Sequence, residues 1–287
     1  MAKQILYKHF AHHATFFFFI CSLLVLASIM KTTTATSSRH QARDEAGDLK
    51  CIEKERQALL HFKSYIRQDP DGRLSTWTDE KKVEEATSEC CEWSGVTCNN
   101  KTGHVTTLQL SNGYLEGKIS PSLVNLTYLT HLDLSWNHFH GPIPMFNGSM
   151  TQLRHLNLQG NVFNETIPMF IGSMTHLRFL DLSFNHFTGN IPLFIGSVTQ
   201  LRYLGLYLND FNGTIPMELG NLTNLQELSL RGLSNFTIEN LNWLSNLSHL
   251  KSLYMDGTSL AKANNWVNVI QSLKKLSDLS LSRCDLS

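Results

Sequence analysis

A repeat of about 24 residues constrains the fold of this chain more than any other feature of its sequence. The pattern Leu-x-x-Leu-x-Leu, with an occasional valine or methionine in place of leucine, starts at eight positions: Val105, Leu129, Leu153, Leu177, Leu201, Leu225, Leu250 and Leu276. The first five intervals are 24 residues long, and the last two are 25 and 26. Such a repeat predicts a solenoid, because one unit buries its apolar stripe only when neighbouring units stack on it.

Each regular unit is expected to contain a short strand followed by a buried asparagine. The strand leucines, for example Leu129, Leu132 and Leu134, should point into the core. Three residues after the last of them, four successive units carry an asparagine: Asn137, Asn161, Asn185 and Asn209. One such asparagine is compatible with a surface loop, but four at a fixed spacing predict a ladder of amides bonded to the backbone of neighbouring coils.

Two further features recur after each ladder asparagine. A phenylalanine two residues later predicts a second apolar column: Phe139, Phe163, Phe187 and Phe211. An isoleucine-proline pair then follows in each of these units: Ile143-Pro144, Ile167-Pro168, Ile191-Pro192 and Ile215-Pro216. Proline fixes an extended backbone and cannot continue a helix, so each coil should pass through an extended segment here.

The unit Leu-x-x-Leu-x-Leu-x-x-Asn-x-Phe-x-Gly-x-Ile-Pro resembles the plant-specific extracellular leucine-rich repeat, over about residues 51–287. The resemblance implies an α/β repeat solenoid: a curved, right-handed superhelix with a parallel concave sheet and a disulfide-linked N-terminal cap. We expect about eight repeats over residues 99–287, regular over 105–224 and irregular over 225–287. The irregular units look like those of plant receptor-like proteins, especially the group that includes fungal-xylanase receptors. No C-terminal cap follows them, so we expect a fragment of a longer receptor-like product.

Residues 51–98 resemble the N-terminal cap of that family. Residues 55–66 predict an amphipathic helix with Ala58, Leu59, Phe62 and Ile66 on one face. Four cysteines of this segment indicate a disulfide framework: Cys51, Cys90, Cys91 and Cys98. A bond between the adjacent Cys90 and Cys91 would be strained, which leaves two pairings. Of these we expect Cys51 with Cys90 and Cys91 with Cys98.

The N-terminus has the order of a secretory signal. Lys3 and Lys8 precede an apolar run over residues 14–30, and a small-residue zone near Ala35 follows it. The alternative is a membrane anchor, but these 17 residues are fewer than the roughly 20 that a spanning helix needs. We therefore predict a signal peptide over residues 1–35, a polar linker over 36–50, and no membrane span in the rest of this chain.

Composition and sequence motifs also limit the partners. The chain has 24 basic and 24 acidic residues, so it lacks the basic footprint of nucleic-acid binding. Eight Asn-x-Ser/Thr acceptors suit a glycosylated secreted chain: Asn100, Asn125, Asn147, Asn164, Asn212, Asn221, Asn235 and Asn246. No motif of a hydrolase, phosphate loop or dinucleotide site is present, so we predict no catalytic residue and no cofactor. His138 and His140 share a strand face but lack a third ligand in the next coil, so no metal site is predicted.

Candidate binding residues lie at positions predicted to point from the strands onto the concave face: Trp136, Phe179, Phe184, Tyr203 and Tyr207. Aromatic side chains placed in solvent favour an interface. The alternative is that Trp136 and Phe184 only pack over the edge of the next coil. His131 and His155 occupy one strand position in adjacent coils, which suggests either a pH-sensitive pair or two exposed neutral histidines.

The family resemblance implies the extracellular recognition region of a receptor-like protein, which would bind a protein, peptide or glycan ligand and signal in defence or development through a partner kinase. Such a chain would be secreted into the wall space, or held at the plasma membrane in a full-length family member. The alternative is a freely secreted inhibitor of a microbial wall-degrading enzyme, similar to polygalacturonase-inhibiting proteins. A third possibility is an inactive product.

Overall fold

The computed structural model describes residues 50–79, 89–146, 149–233, 236 and 238–286. The predicted signal peptide, the linker apart from Lys50, and the acceptors Asn147 and Asn235 lie outside these residues. Within the described part, no helix combines the length and the apolarity that crossing a bilayer requires. The described residues belong to one compact unit that starts at Asp48.

Two α-helices, α1 (Glu53–Lys63) and α2 (Trp266–Ser272), occur in the described residues together with short strands. The strands are β1 (Ile66–Gln68), β2 (Val96–Cys98), β3 (Val105–Gln109), β4 (Glu116–Gly117), β5 (His131–Asp133), β6 (His138–Phe139), β7 (His155–Asn157), β8 (Phe179–Asp181), β9 (Thr188–Gly189), β10 (Tyr203–Gly205), β11 (Asp210–Phe211), β12 (Glu227–Ser229), β13 (Ser252–Tyr254) and β14 (Asp278–Ser280). Short 3₁₀-helices lie at Cys90–Glu92, Pro121–Asn125, Met169–Ser173, Leu193–Ser197, Met217–Asn221 and Asn242–Asn246.

The main sheet has one strand from every repeat unit, in the order β14-β13-β12-β10-β8-β7-β5-β3-β2. Its strands from β3 to β14 are parallel, and the central leucines pair in register, as Leu132 does with Leu156 and Leu156 with Leu180. These three leucines are fully buried. Since side chains alternate along a strand, the residues on either side of each central leucine face away from the core. We call that side of the sheet the concave face.

The asparagine ladder joins each coil to the preceding one. The Asn161 amide donates to the carbonyl oxygens of Leu134 (3.0 Å) and Leu158 (3.1 Å), and its oxygen accepts from the backbone N–H of Phe139 (2.9 Å). Asn185 and Asn209 repeat this arrangement one and two coils later. The ladder prediction is confirmed, except that Asn209 is only partly buried.

The phenylalanines form the second column of the core. The rings of Phe163 and Phe187 stack at 5.9 Å, and those of Phe187 and Phe211 at 6.3 Å. Gly189 follows with φ +77°, a backbone conformation that glycine adopts without steric cost. The chain then turns toward the isoleucine-proline pair and the short helix on the opposite side of the coil from the sheet.

The cap differs from its prediction at one end. Helix α1 buries Ala58, Leu59 and Phe62, but it ends at Lys63. Ile66 was predicted on the same helix face and instead begins strand β1, where it pairs with Gly117 of the first coil. This backbone pairing holds the chain extended, and so it overrides the helical periodicity of the side chains.

A strand and a buried carboxylate attach the cap to the repeats. Strand β2 joins the main sheet antiparallel to β3, a pairing that the repeat pattern does not contain. Glu55 is buried and accepts from the Val105 N–H at 2.7 Å and pairs with His104 at 2.8 Å. Disulfides link Cys51 with Cys90 and Cys91 with Cys98, with Cα separations of 5.6 and 5.4 Å.

The later coils keep the core while changing its residues. Leu233, Thr258 and Cys284 take the ladder position and are buried. The Thr258 hydroxyl donates to the Leu230 carbonyl oxygen at 3.0 Å, which replaces one amide bond of the ladder. Trp243 fills core volume as predicted, whereas helix α2, in place of a 3₁₀ turn, has no counterpart in the predicted pattern.

Candidate functional site

Four aromatic rings form a stack along the first strand position of the concave face. His131, His155, Phe179 and Tyr203 are register partners on β5, β7, β8 and β10. Their successive ring centroids lie 3.9, 4.1 and 4.3 Å apart, and successive planes differ by 11°, 9° and 10°. Parallel strands about 4.8 Å apart place register partners near the separation of stacked rings, so the sheet itself builds this row.

Stacking changes what these side chains offer to a partner. The sequence predicted aromatic rings placed in solvent, but all four are half-buried, because each inner ring has both faces covered by its neighbours. What remains open on Phe179 is its ring edge, which carries partial positive charge and suits oxygen acceptors.

The pKa of each of the two histidines in the stack is lowered. Burial lowers the pKa of His131. Burial, and to a smaller extent the neighbouring His131, lowers the pKa of His155 to about 4. Neither histidine is fully exposed, contrary to one of the two sequence interpretations.

Buried carboxylates line the next row of the concave face. Asp181 accepts from the Tyr203 hydroxyl and the Ser183 N–H, each at 2.9 Å, and burial raises its pKa. A Cβ on Gly205 would lie 2.6 Å from the Asp181 carboxylate, so glycine leaves room for it. Asp133 occupies the same position two coils earlier. Sequence reasoning missed both, although their repeat position was readable from the register of the leucines.

A second aromatic group lies in the turns that follow the strands. Trp136 and Phe184 were predicted on strands, but they occupy left-handed turn positions with φ +54° and +53°. Their rings are 5.4 Å apart, and Phe184 meets Tyr207 at 5.1 Å. Tyr207 lies beyond the end of β10 and accepts a hydrogen bond from Gln159 at 2.7 Å. Both turn residues therefore pack over the next coils, as the alternative interpretation held.

Packing does not bury this turn group completely. Trp136 remains 45% exposed. Leu208 occupies the same turn position three coils later and is also 45% exposed. Other coils place Gly160, Gly232 and Gly257 at this position, with φ between +67° and +75°. We call Trp136, Phe184 and Leu208 the turn ridge.

The predicted glycan acceptors avoid the concave face. Asn100, Asn164, Asn212, Asn221 and Asn246 are exposed, and Asn125 is partly buried. The last residues of three 3₁₀-helices are Asn125, Asn221 and Asn246, on the side of the coil opposite the sheet. None of these six described acceptors lies in a strand. Glycans at these positions would leave the concave face accessible.

A second apolar surface follows the isoleucine-proline pairs, and sequence reasoning missed it. The next residue in four successive coils is large, apolar and 62–78% exposed: Met145, Met169, Leu193 and Met217. A cleft of about 340 Å³ lies at one end of this row, lined by Met217, Ile238 and Trp243 among others. The 24-residue spacing of the four residues was a usable signal.

Known proteins share this architecture. The family described as "Leucine-rich repeat region" matches residues 114–287, and "Leucine rich repeat N-terminal domain" matches residues 52–99. Receptor-like protein EIX2 of Solanum lycopersicum is 48% identical over 90 residues, which are 28% of this chain and 8% of that protein. The matched segment thus covers less than a tenth of the length of that relative.

Solved receptor structures agree with the sequence relatives. The structure of PEPR1 with AtPEP1 superposes with a TM-score of 0.68 at 28% identity, over 80% of this chain and 31% of that one. The Arabidopsis receptor kinase HAESA ectodomain, bound to an IDA peptide hormone ligand, gives 0.61 at 28% identity, over 80% and 41%. The chain belongs to the leucine-rich-repeat family and is similar to receptor-like proteins of plants.

Proposed function

We propose that this chain is the extracellular ligand-recognition region of a plant receptor-like protein, acting in defence or developmental signalling. The relatives support this role, since they are receptor-like proteins and receptor ectodomains. Among the solved neighbours, PEPR1 is described in complex with AtPEP1, and HAESA in complex with an IDA peptide hormone and also with the co-receptor SERK1. By analogy, the partners here would be a protein, peptide or glycan ligand and a co-receptor kinase, without catalysis by this chain.

The turn ridge is the observation that supports placing the binding surface on this edge of the concave face. Its backbone conformation favours glycine; three other coils have glycine there, and the first and last coils have Asn112 and Arg283. A side chain held in this conformation costs about 1–3 kcal/mol, and Trp136 and Leu208 add exposed apolar surface. Packing on the next coils leaves part of this apolar surface open, and interfaces use large rigid side chains as anchors.

Polar groups beside the ridge suggest what the ligand presents. The carboxylates of Asp133, Asp181 and Glu227 lie on the concave face of β5, β8 and β12, and Arg231 interacts electrostatically with Glu227. Acceptors outnumber donors among these charged groups. A ligand segment with an apolar side chain for the ridge and nearby hydrogen-bond donors for the carboxylates fits this surface.

The experiment compares capture of ligand by the secreted chain and by the double variant Tyr203→Ala, Tyr207→Ala. We expect this variant to lose partners from plant wall extract that the original chain captures, with unchanged secretion. A matched variant of the opposite surface, Met169→Ser with Met217→Ser, should capture them normally. Equal capture by all three proteins would move the binding site off the concave face.

The alternative function, inhibition of a microbial wall-degrading enzyme, has its own test. The purified chain is mixed with fungal polygalacturonase, and release of reducing ends from pectin is followed. We expect no inhibition. Inhibition that saturates at one chain per enzyme would support the inhibitor and contradict the receptor proposal.

A further inference from the structure

The stacked histidines and a carboxylate converge at one point of the concave face. His131 and Asp133 are two residues apart on β5 and therefore face the same side. His155 on β7 is the register partner of His131. One donor atom from each of the three side chains lies within 4.8 Å of the other two.

One atom of this cluster lacks a partner. The Nε2 of His155 is buried and has no hydrogen-bond partner among the described residues. Buried polar atoms are nearly always satisfied, so an orphaned ring nitrogen requires an explanation. A bound cation that accepts its lone pair would provide one.

We propose that His131, Asp133 and His155 form a binding site for a divalent transition-metal cation, with Zn²⁺ as the favoured ion. Two imidazole nitrogens and one carboxylate oxygen are a donor set that suits Zn²⁺, which binds such ligands at about 2.0–2.2 Å. Three protein ligands leave a fourth coordination position open.

Hydrogen bonds from Ser135 favour metal binding by the cluster. The backbone N–H and the hydroxyl of Ser135 donate to one oxygen of Asp133, at 2.9 and 2.6 Å, which orients the carboxylate.

Binding also has a structural cost that can be observed. The lone pair of an imidazole lies in the ring plane, and the two rings are stacked 3.9 Å apart. Both rings must therefore tilt toward the ion before they can share it. A bound ion should consequently change the environment of Phe179, which stacks on the other face of His155.

The test uses the complete secreted chain without a histidine tag, stripped with EDTA and kept free of reductant. Cys51, Cys90, Cys91 and Cys98 then stay in disulfides and do not compete for metal. Zinc chloride alone is titrated in a calorimeter, and ring proton shifts are followed by NMR. We expect one saturable site per chain.

The matched variant is His155→Phe, which keeps a ring in the stack but removes the ligand. We expect its zinc affinity to fall at least about tenfold, with the melting temperature of the metal-free protein unchanged. Asp133→Asn should also weaken binding. The control His138→Gln with His140→Gln removes two histidines elsewhere and should bind as the original chain does.

Three outcomes would overturn the proposal: no saturable zinc binding by the original chain, original affinity in His155→Phe, or loss of binding in the control alone. If His155→Phe is not secreted, His131→Phe removes the other imidazole with the same expected loss. Failure of zinc binding would leave ligand capture by the turn ridge unaffected, because the ridge does not include these residues.

Discussion

The indole of Trp136 lies against Gly160, which occupies the same turn position one coil later. A Cβ built on Gly160 would come within 2.6 Å of the Trp136 ring, and its backbone has φ +67°. Gly160 thus serves the turn and also makes room for the tryptophan. The pair explains how a large side chain is held at the edge of the concave face.

The first prediction separates these two roles of Gly160. We expect Gly160→Ala to destabilise the chain more than Gly232→Ala, which has a similar φ of +75° but only an ordinary 3.4 Å contact with Leu208. The left-handed backbone should cost each variant about 1 kcal/mol, and the clash should add roughly 1–2 kcal/mol to the first. Urea unfolding measures both.

A double variant provides the control. In a chain that already carries Trp136→Gly, the added change Gly160→Ala should lower the free energy of unfolding only as much as Gly232→Ala does in the original chain. If Gly160→Ala and Gly232→Ala are equally stable while Trp136 is still present, Trp136 does not contact Gly160 closely in solution.

The second prediction concerns the ladder. Asn161→Leu should destabilise the chain by about 1–3 kcal/mol, because the Phe139 N–H and the Leu134 carbonyl oxygen lose their buried partner. Asn209→Leu should cost less, since Asn209 is only partly buried. His138→Leu, at an exposed position, serves as the near-neutral reference in thermal unfolding. A larger loss for His138→Leu than for Asn161→Leu would contradict the ladder.

The third prediction ranks the cap disulfides. The bond from Cys51 to Cys90 spans 39 residues and that from Cys91 to Cys98 spans 7. In the chain-entropy account, the longer loop stabilises by about 1.5 kcal/mol more. Replacing both cysteines of a pair by serine should therefore reduce secretion and protease resistance more for Cys51 and Cys90. The reverse ranking in a pulse-chase experiment would show that loop length does not decide cap stability.

The fourth prediction is a pH dependence. A histidine whose pKa is lower in the folded chain binds a proton more readily when unfolded, so folding stability falls as acid is added. For His155 this loss should develop between pH 6.5 and about 4. His155→Phe should flatten the loss in unfolding experiments over that interval.

Asp181 has the opposite effect on folding stability as the pH falls. Burial raises its pKa, so its protonation favours the folded chain as pH falls. Asp181→Asn should accordingly steepen the acid loss. If both variants keep the pH profile of the original chain, burial does not shift the pKa of His155 or of Asp181 in the direction stated here.

Periodicity was enough to predict the core, since the leucines, ladder asparagines and phenylalanines each repeat at a spacing that only stacking explains. Periodicity did not predict how the first coil contacts the N-terminal cap. Ile66 satisfied a helical pattern but pairs as a strand with Gly117, and β2 joins the sheet antiparallel. Such partners lie far apart in sequence, and their backbone bonds leave no periodic trace.

The candidate site was predicted by residue but not by geometry. The register of the leucines correctly aligned His131 with His155, yet it did not reveal that rings in register would cover each other's faces. Trp136 was predicted on a strand, but the chain turns before it with a left-handed backbone that glycine or asparagine adopts more readily. The buried Asp181 was overlooked because no sequence motif marks it.

The most direct test of the recognition surface restores glycine on the turn ridge. The triple variant Trp136→Gly, Phe184→Gly and Leu208→Gly places at three coils the residue that Gly160, Gly232 and Gly257 already supply at others. Capture of wall-extract components by this variant and by the original secreted chain is compared, with circular dichroism melting as the check on folding. We predict a folded, secreted variant that no longer captures those components. A folded variant with undiminished capture would contradict the account.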